Sequence, residues 1–213
     1  MHNIIQGNDY CMSLISEHKA DNCNNFSIKQ GWLVQAQHCL SPHFTPREQD
    51  EQISLLVIHN ISLPAGQFGT PYITDLFVGT LDCDAHPSFS DLKHLTVSAH
   101  CLIRRDGSII QYVSFNDKAW HAGVSSFQGR EQCNDFSIGI ELEGTDSQAY
   151  TDLQYQALAE LTVQLMVTYP AITLDNIAGH CDIAPGRKTD PGPAFDWSSY
   201  KQLICDKKNN KEF

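Results

Sequence analysis

The run Ile-Ser-Leu-Leu-Val-Ile-His at residues 53–59 constrains the fold more than any other stretch. It is apolar almost from end to end and of strand length, so it reads as a central strand. It also ends on a polar side chain, His59, and the end of a rigid buried strand is a good mount for a metal ligand.

The elements around this strand are uneven. GWLVQAQH at 31–38 has short strand character, and CLSPHFTPREQDEQ at 39–52 reads as a Pro-bearing connection. Residues 60–95 hold little strand. Short helices are expected at 73–80 and at 86–95, the second capped by Ser88 or Ser90. VSAHCLIRR at 97–105 and SIIQYV at 108–113 flank Asp106-Gly107, a hairpin signal. KAWHAG at 118–123 reads as a strand end.

FSIGIELEG at 136–144 alternates: Ile138, Ile140 and Leu142 point one way, and Ser137, Gly139, Glu141 and Glu143 the other. Residues 151–170 carry Leu153, Leu158, Leu161, Leu165 and Met166 at helical spacing, with Thr151 as cap and Pro170 as stop. Residues 195–205 form a final helix. Strands mixed with a hairpin and irregularly spaced helices give an α/β (α+β) reading: a mixed central β-sheet flanked by helices in one domain. That domain is expected over 31–205, between a polar extension at 1–30 and a polar tail at 206–213.

Charge narrows the function. With 14 basic and 25 acidic residues the net charge is -11, which argues against nucleic acid as a partner and against a membrane-surface anchor. No run approaches the roughly 18 apolar residues of a membrane span. The first residues lack the basic and apolar regions of a signal peptide. The 8 cysteines form no CxxC pair. Cytoplasmic location, reduced thiols and a monomer are the expectations.

The chemistry concentrates in AGHCDIAPGRKTDPGPAFDW, residues 178–197, too rich in Gly and Pro for a long helix or a central strand. It holds His180, Lys188 and Asp190. An imidazole and a carboxylate on one loop close on an ion only when another element adds a ligand, and His59 is the best donor. Two imidazoles and a carboxylate leave a tetrahedral zinc one open position. A lone histidine at a strand end is more often a satisfied core residue, and a lone lysine is usually solvated. Glu141 and Glu143 share a face, so periodicity does not choose a base between them. His100 is expected to be structural, and Cys181 is a weak competitor for the ion. Asp182 caps the loop or orients His180.

The segments VIHN, VSAHCLIRRDG, AWHAG, NDFSIGIELEG and GHCDIAPGRKTDPGPAFDW together resemble the zinc amidases that cut N-acetylmuramoyl-L-alanine bonds. Within them the likeness is greatest to the cytoplasmic 1,6-anhydro-N-acetylmuramyl-L-alanine amidases. The resemblance spans about residues 31–205 and implies the mixed sheet shared with peptidoglycan-recognition proteins. It implies one zinc ion held by His59, His180 and Asp190, with Glu141 as general base and Lys188 stabilising the transition state. It also implies a muropeptide substrate in cell-wall recycling. Trp120 and His121 would line the pocket, Asn60 would hydrogen-bond the substrate, and Glu143 would be a surface or supporting carboxylate. Related enzymes carry arginines where this chain has Thr96 and Gln132; Arg130 and Arg187 are the nearby cations that would compensate. Two other functions compete. A non-catalytic peptidoglycan-binding module would lack a ligand or the base. An amidase of intact peptidoglycan would carry an export signal.

Overall fold

Six strands build the central sheet, and the run read as a central strand lies inside it. In chain order they are β1 (Gln37–His38), β2 (Leu55–Ile61), β3 (Cys101–Ile103), β4 (Ile109–Gln111), β5 (Ser137–Glu143) and β6 (Ile177–Gly179). Their spatial order is β6-β2-β5-β3-β4-β1. Every neighbouring pair is parallel except the β3–β4 hairpin, so the sheet is mixed. This computed structural model describes residues 26–210.

Alternation along β5 assigns the two faces. Ile138, Ile140 and Leu142 join Leu56 and Ile58 in a core closed by helices α2 (Asp152–Thr168) and α4 (Trp197–Asn209). Thr151 caps α2 in a capping box with Gln154. The stripe that packs is Leu158, Leu161 and Leu165; Leu153 is exposed in the first turn. The Thr162 and Tyr200 hydroxyls bond at 2.6 Å between the two helices, and Lys207 of α4 pairs with Glu160 of α2 at 2.9 Å.

The opposite face carries Leu55 and Val57 of β2 against Ala122, Phe136 and Ile183. Beside them helix α1 (Tyr72–Val78) packs Ile73, Leu76 and Phe77 on Leu102 and Ile110. Gly79 ends α1 in the left-handed conformation, φ +76°, donating to the Asp75 and Leu76 carbonyls. Gly107 of the hairpin turn needs glycine twice over. Its φ is +81°, and a Cβ there would lie 2.9 Å from the Leu153 carbonyl oxygen.

Several expectations change. The 86–95 helix is a 3₁₀ segment, Pro87–Leu92, capped by the His86 ring accepting the Ser88 N–H, not by a serine. The 39–52 connection contributes a short strand, Phe44–Pro46, paired with Asp117–Ala119. Strand β6 lies at the start of a stretch read wholly as loop. The C-terminal helix runs to Asn209, past the expected tail boundary at 206. Lysines near a helix C-terminus favour its dipole, and Lys207 is held by Glu160, so the helix continues. At the other end Ile28–Lys29 pairs with Trp32–Leu33, and Phe26 and Ile28 pack on the main core. The last residues of the expected 1–30 extension therefore belong to the fold; residues 1–25 lie outside those described. Among the described residues no helix is long and apolar enough to cross a membrane, and Cys83, Cys101, Cys133, Cys181 and Cys205 are thiols.

Candidate metal centre and active site

Strand register brings two of the expected residues together. In the parallel β2–β5 pair Glu141 lies opposite His59, so both side chains leave the same face. Strand β6 runs beside β2 with Gly179 opposite Ile58, and His180 follows it as the first residue of a short helix, α3 (His180–Ile183). His180 is thereby delivered next to His59. Asp190 returns to the same point because its loop is clamped. The Cys181 N–H donates to the Asp190 carbonyl at 2.9 Å. The Pro191 carbonyl accepts from the Tyr150 hydroxyl at 2.7 Å and the Asn60 amide at 3.1 Å, and Asn60 also donates to Asp146 at 2.8 Å.

His59 Nδ1 lies 3.0 Å from His180 Nδ1, and each lies 3.1 Å from Asp190 Oδ2. His59 and His180 are buried, and Asp190 is half-buried. The His180 Nε2 sits 3.1 Å from the Ala122 carbonyl, which only accepts, so the ring proton is on Nε2 and Nδ1 presents its lone pair. Donor atoms this close repel unless a positive centre lies among them. A proton or a divalent cation satisfies that condition, and two imidazoles with one carboxylate are a cation's donor set. Burial would raise the Asp190 carboxyl, but the imidazoles of His180 and His59 beside it outweigh this and hold it well below the usual carboxylate range. Burial lowers His59 to about 4 despite its bond to Asp190. Both groups are therefore in their metal-binding protonation states near neutral pH.

A cleft of about 490 Å³ opens over this cluster. Glu141, His180, Lys188 and Asp190 share its lining with Asn60, Trp120 and His121. Leu76 and Phe77 of α1 and Leu95 supply part of an apolar wall. The Glu141 Oε2 is buried and has no hydrogen-bond partner. Burial pushes its carboxyl well above the ordinary value, the Asp190 charge adds to this, and Lys188 opposes it. Lys188 is exposed. Trp120 stacks on His43 with ring centroids 6.0 Å apart and the planes at 12°.

The remaining residues separate cleanly. Glu143 is buried, not on the surface, and accepts from the Gly69 N–H at 2.6 Å and the Arg105 N–H at 3.2 Å. His100 is fully buried; its Nδ1 accepts the Gly139 N–H at 3.0 Å and its Nε2 faces the Asp117 carbonyl at 3.1 Å. Asp182 takes the capping role, accepting the Gly179 N–H at 2.7 Å, while the partner of His180 is the Ala122 carbonyl. The Cys181 sulfur lies 3.8 Å from Asp182 and outside the cluster. Arg187 donates to the Ala122 and Val124 carbonyls at 2.6 and 2.7 Å, and Arg130 pairs with Glu51 at 2.7 Å. Both arginines make bonds within the protein, and Arg187 also lines the cleft. Thr96 lines the cleft, and Gln132 lines a neighbouring depression of about 510 Å³.

Sequence reasoning missed the residues that hold this arrangement. Arg47 donates to the carbonyls of Asn134, Asp135 and Ser137 at 3.0, 2.6 and 2.7 Å, joining the 39–52 connection to the start of β5. Asn134 Oδ1 then accepts the N–H groups of His121 and Ala122 at 3.1 and 2.8 Å. Arginine on a polar connection reads as solvated, and nothing local marks it otherwise. Tyr150 and Asp146 were equally silent. Ser137 carried a signal, since it shares the Glu141 face of β5.

Comparison with known proteins places the chain. The family described as N-acetylmuramoyl-L-alanine amidase matches residues 49–193. A 1,6-anhydro-N-acetylmuramyl-L-alanine amidase, AmpD, of Salmonella typhimurium strain SL1344 is 65% identical over 176 residues, covering 83% of this chain and 94% of the relative. A crystal structure of a selenomethionine AmpD derivative superimposes with TM-score 0.82 at 62% identity, covering 84% of this chain and 99% of that one. The amidase AmiD from E. coli, solved with anhydro-N-acetylmuramic acid-L-Ala-D-gamma-Glu-L-Lys, matches with TM-score 0.54 at 29% identity, over 84% of this chain and 65% of that one. This chain belongs to the N-acetylmuramoyl-L-alanine amidase family and is an amidase.

Proposed function

We propose that the protein hydrolyses the amide between the lactyl group of 1,6-anhydro-N-acetylmuramic acid and L-alanine in cytoplasmic muropeptides, using one zinc ion. The observation that carries the reading is the convergence of His59 Nδ1, His180 Nδ1 and Asp190 Oδ2 beneath a cleft that also holds Glu141, whose Oε2 is buried and unpartnered. His59, His180 and Asp190 would hold the ion. Bound there, zinc supplies Lewis acidity, bringing the pKa of water to about 7 and polarising an amide carbonyl.

The chain's own residues do the rest. Glu141, with its affinity for a proton raised by burial, takes one from the attacking water and passes it to the leaving alanine nitrogen. Lys188, on the same cleft, places a cation near the oxygen that gains charge. Trp120 and the apolar wall receive the sugar side. A non-catalytic binding module has no use for a Glu141 whose Oε2 is kept buried and unpaired on the cleft, which favours the hydrolytic reading.

The substrate is tested by supplying anhydro-muropeptide, its ring-opened reducing form and purified sacculi at equal bond concentration, with products identified by mass spectrometry. Release of peptide from the anhydro form, much faster than from the other two, is expected. Equal rates on all three would refute the recycling role and leave the amidase chemistry intact.

A further inference from the structure

The resemblance makes His121 a pocket-lining residue, and it does border the cleft. Its ring nitrogens are turned elsewhere. Nδ1 lies 2.9 Å from His59 Nε2, and Nε2 lies 3.2 Å from the Ser137 hydroxyl. No polar ring atom remains for a substrate. The ring lies directly over Gly139, where a Cβ would come within 2.4 Å of it. The backbone that carries it is bonded to Asn134 Oδ1. A half-buried imidazole is thus seated from below by a glycine, from behind by an asparagine, and at both nitrogens by side chains.

The direction of these bonds has a chemical consequence. His59 faces the cluster with Nδ1, so ligation needs the His59 proton on Nε2. That proton requires an acceptor, and His121 Nδ1 is the atom in place. His121 then carries its own proton on Nε2, where the Ser137 oxygen accepts it. The chain His59–His121–Ser137 is therefore satisfied in the one polarity that leaves His59 Nδ1 bare.

We infer that His121 is a positioning residue for His59, setting its ring orientation and tautomer for metal through Ser137 and Gly139, and that it is not a substrate contact. The inference rests on the zinc reading above. Neutral histidine can support a ligand imidazole in this way because the supporting group need only accept one N–H.

The test uses zinc-loaded full-length protein and a chromophoric chelator competing for the ion. His121→Phe keeps a ring over Gly139 but offers no acceptor. It should weaken zinc binding roughly 10–100-fold, with KM unchanged once zinc is saturating. His121→Gln, whose amide oxygen can accept from His59 Nε2–H, should recover much of the affinity. In the zinc-loaded wild type, ¹⁵N spectra should show His121 protonated at Nε2 and bare at Nδ1. Wild-type zinc affinity in His121→Phe, or a His121 proton on Nδ1 in the loaded protein, would overturn the inference; the spectra decide if the Phe variant does not fold. Absence of stoichiometric zinc binding by the wild type would instead remove the zinc reading itself.

Discussion

At position 141 the chain keeps a carboxylate with one oxygen buried and given no donor. Oε2 has no partner, and burial raises the proton affinity of the group. Two residues along the same strand, Glu143 is buried more completely and is held by the Gly69 and Arg105 N–H groups. The pair should therefore separate experimentally. Glu141→Gln should retain fold and metal while kcat falls on the order of 10²–10⁴-fold. Glu143→Gln should cost stability, about 1–3 kcal/mol, with a far smaller effect on kcat. Steady-state kinetics and urea unfolding of both variants check this, and reversed behaviour would mean that the other carboxylate is the base. Alternation in the sequence placed both glutamates on one face of β5 and could go no further, because the loops that bond Glu143 lie far away in the chain.

At the scale of elements, long periodic segments were legible and short ones were not. The 53–59 run, the 136–144 alternation and the 151–170 helix appear close to where they were read. Strand β6 and the Phe44–Pro46 strand are too short to carry a period and exist because a neighbour supplies the hydrogen bonds. The 178–197 loop shows the same dependence. Its residues named the candidate ligands, but its path is set by Tyr150 and Asn60 binding the Pro191 carbonyl. Tyr150→Phe should loosen that path, costing about 1 kcal/mol and weakening zinc binding while leaving Glu141 in place. Chelator competition and thermal unfolding measure the two effects. The N-terminal segment yields a second prediction. A chain beginning at Gln30 loses Phe26 and Ile28 from the core and should fold with stability reduced by about 1–3 kcal/mol. Urea unfolding against a chain beginning at residue 25 makes the comparison, and equal midpoints would show that the contact contributes nothing.

Across the whole molecule the buried histidines couple stability to acid. His100 is lowered from 6.5 to about 3 by burial, with Arg47 adding repulsion, and it stays neutral in the fold. The unfolded chain binds that proton more readily, so the stability His100 contributes is complete above pH 6.5 and is lost as pH falls toward 3. His59, lowered to about 4, acts in the same direction in metal-free protein. Glu141, raised by burial, acts the opposite way, so the test compares variants: the wild-type urea midpoint should fall more steeply below pH 6.5 than that of His100→Asn, and equal slopes would contradict the burial described. Metal bound only by the native state adds stability by mass action. The most direct test of the account is a zinc titration of rigorously metal-free protein, with hydrolysis of anhydro-muropeptide read at each addition. Activity should be absent at the start and rise linearly to a break at one equivalent, and His180→Ala should show neither tight zinc uptake nor recovery. Full turnover before any zinc is added, or recovery by His180→Ala matching the wild type, would contradict it.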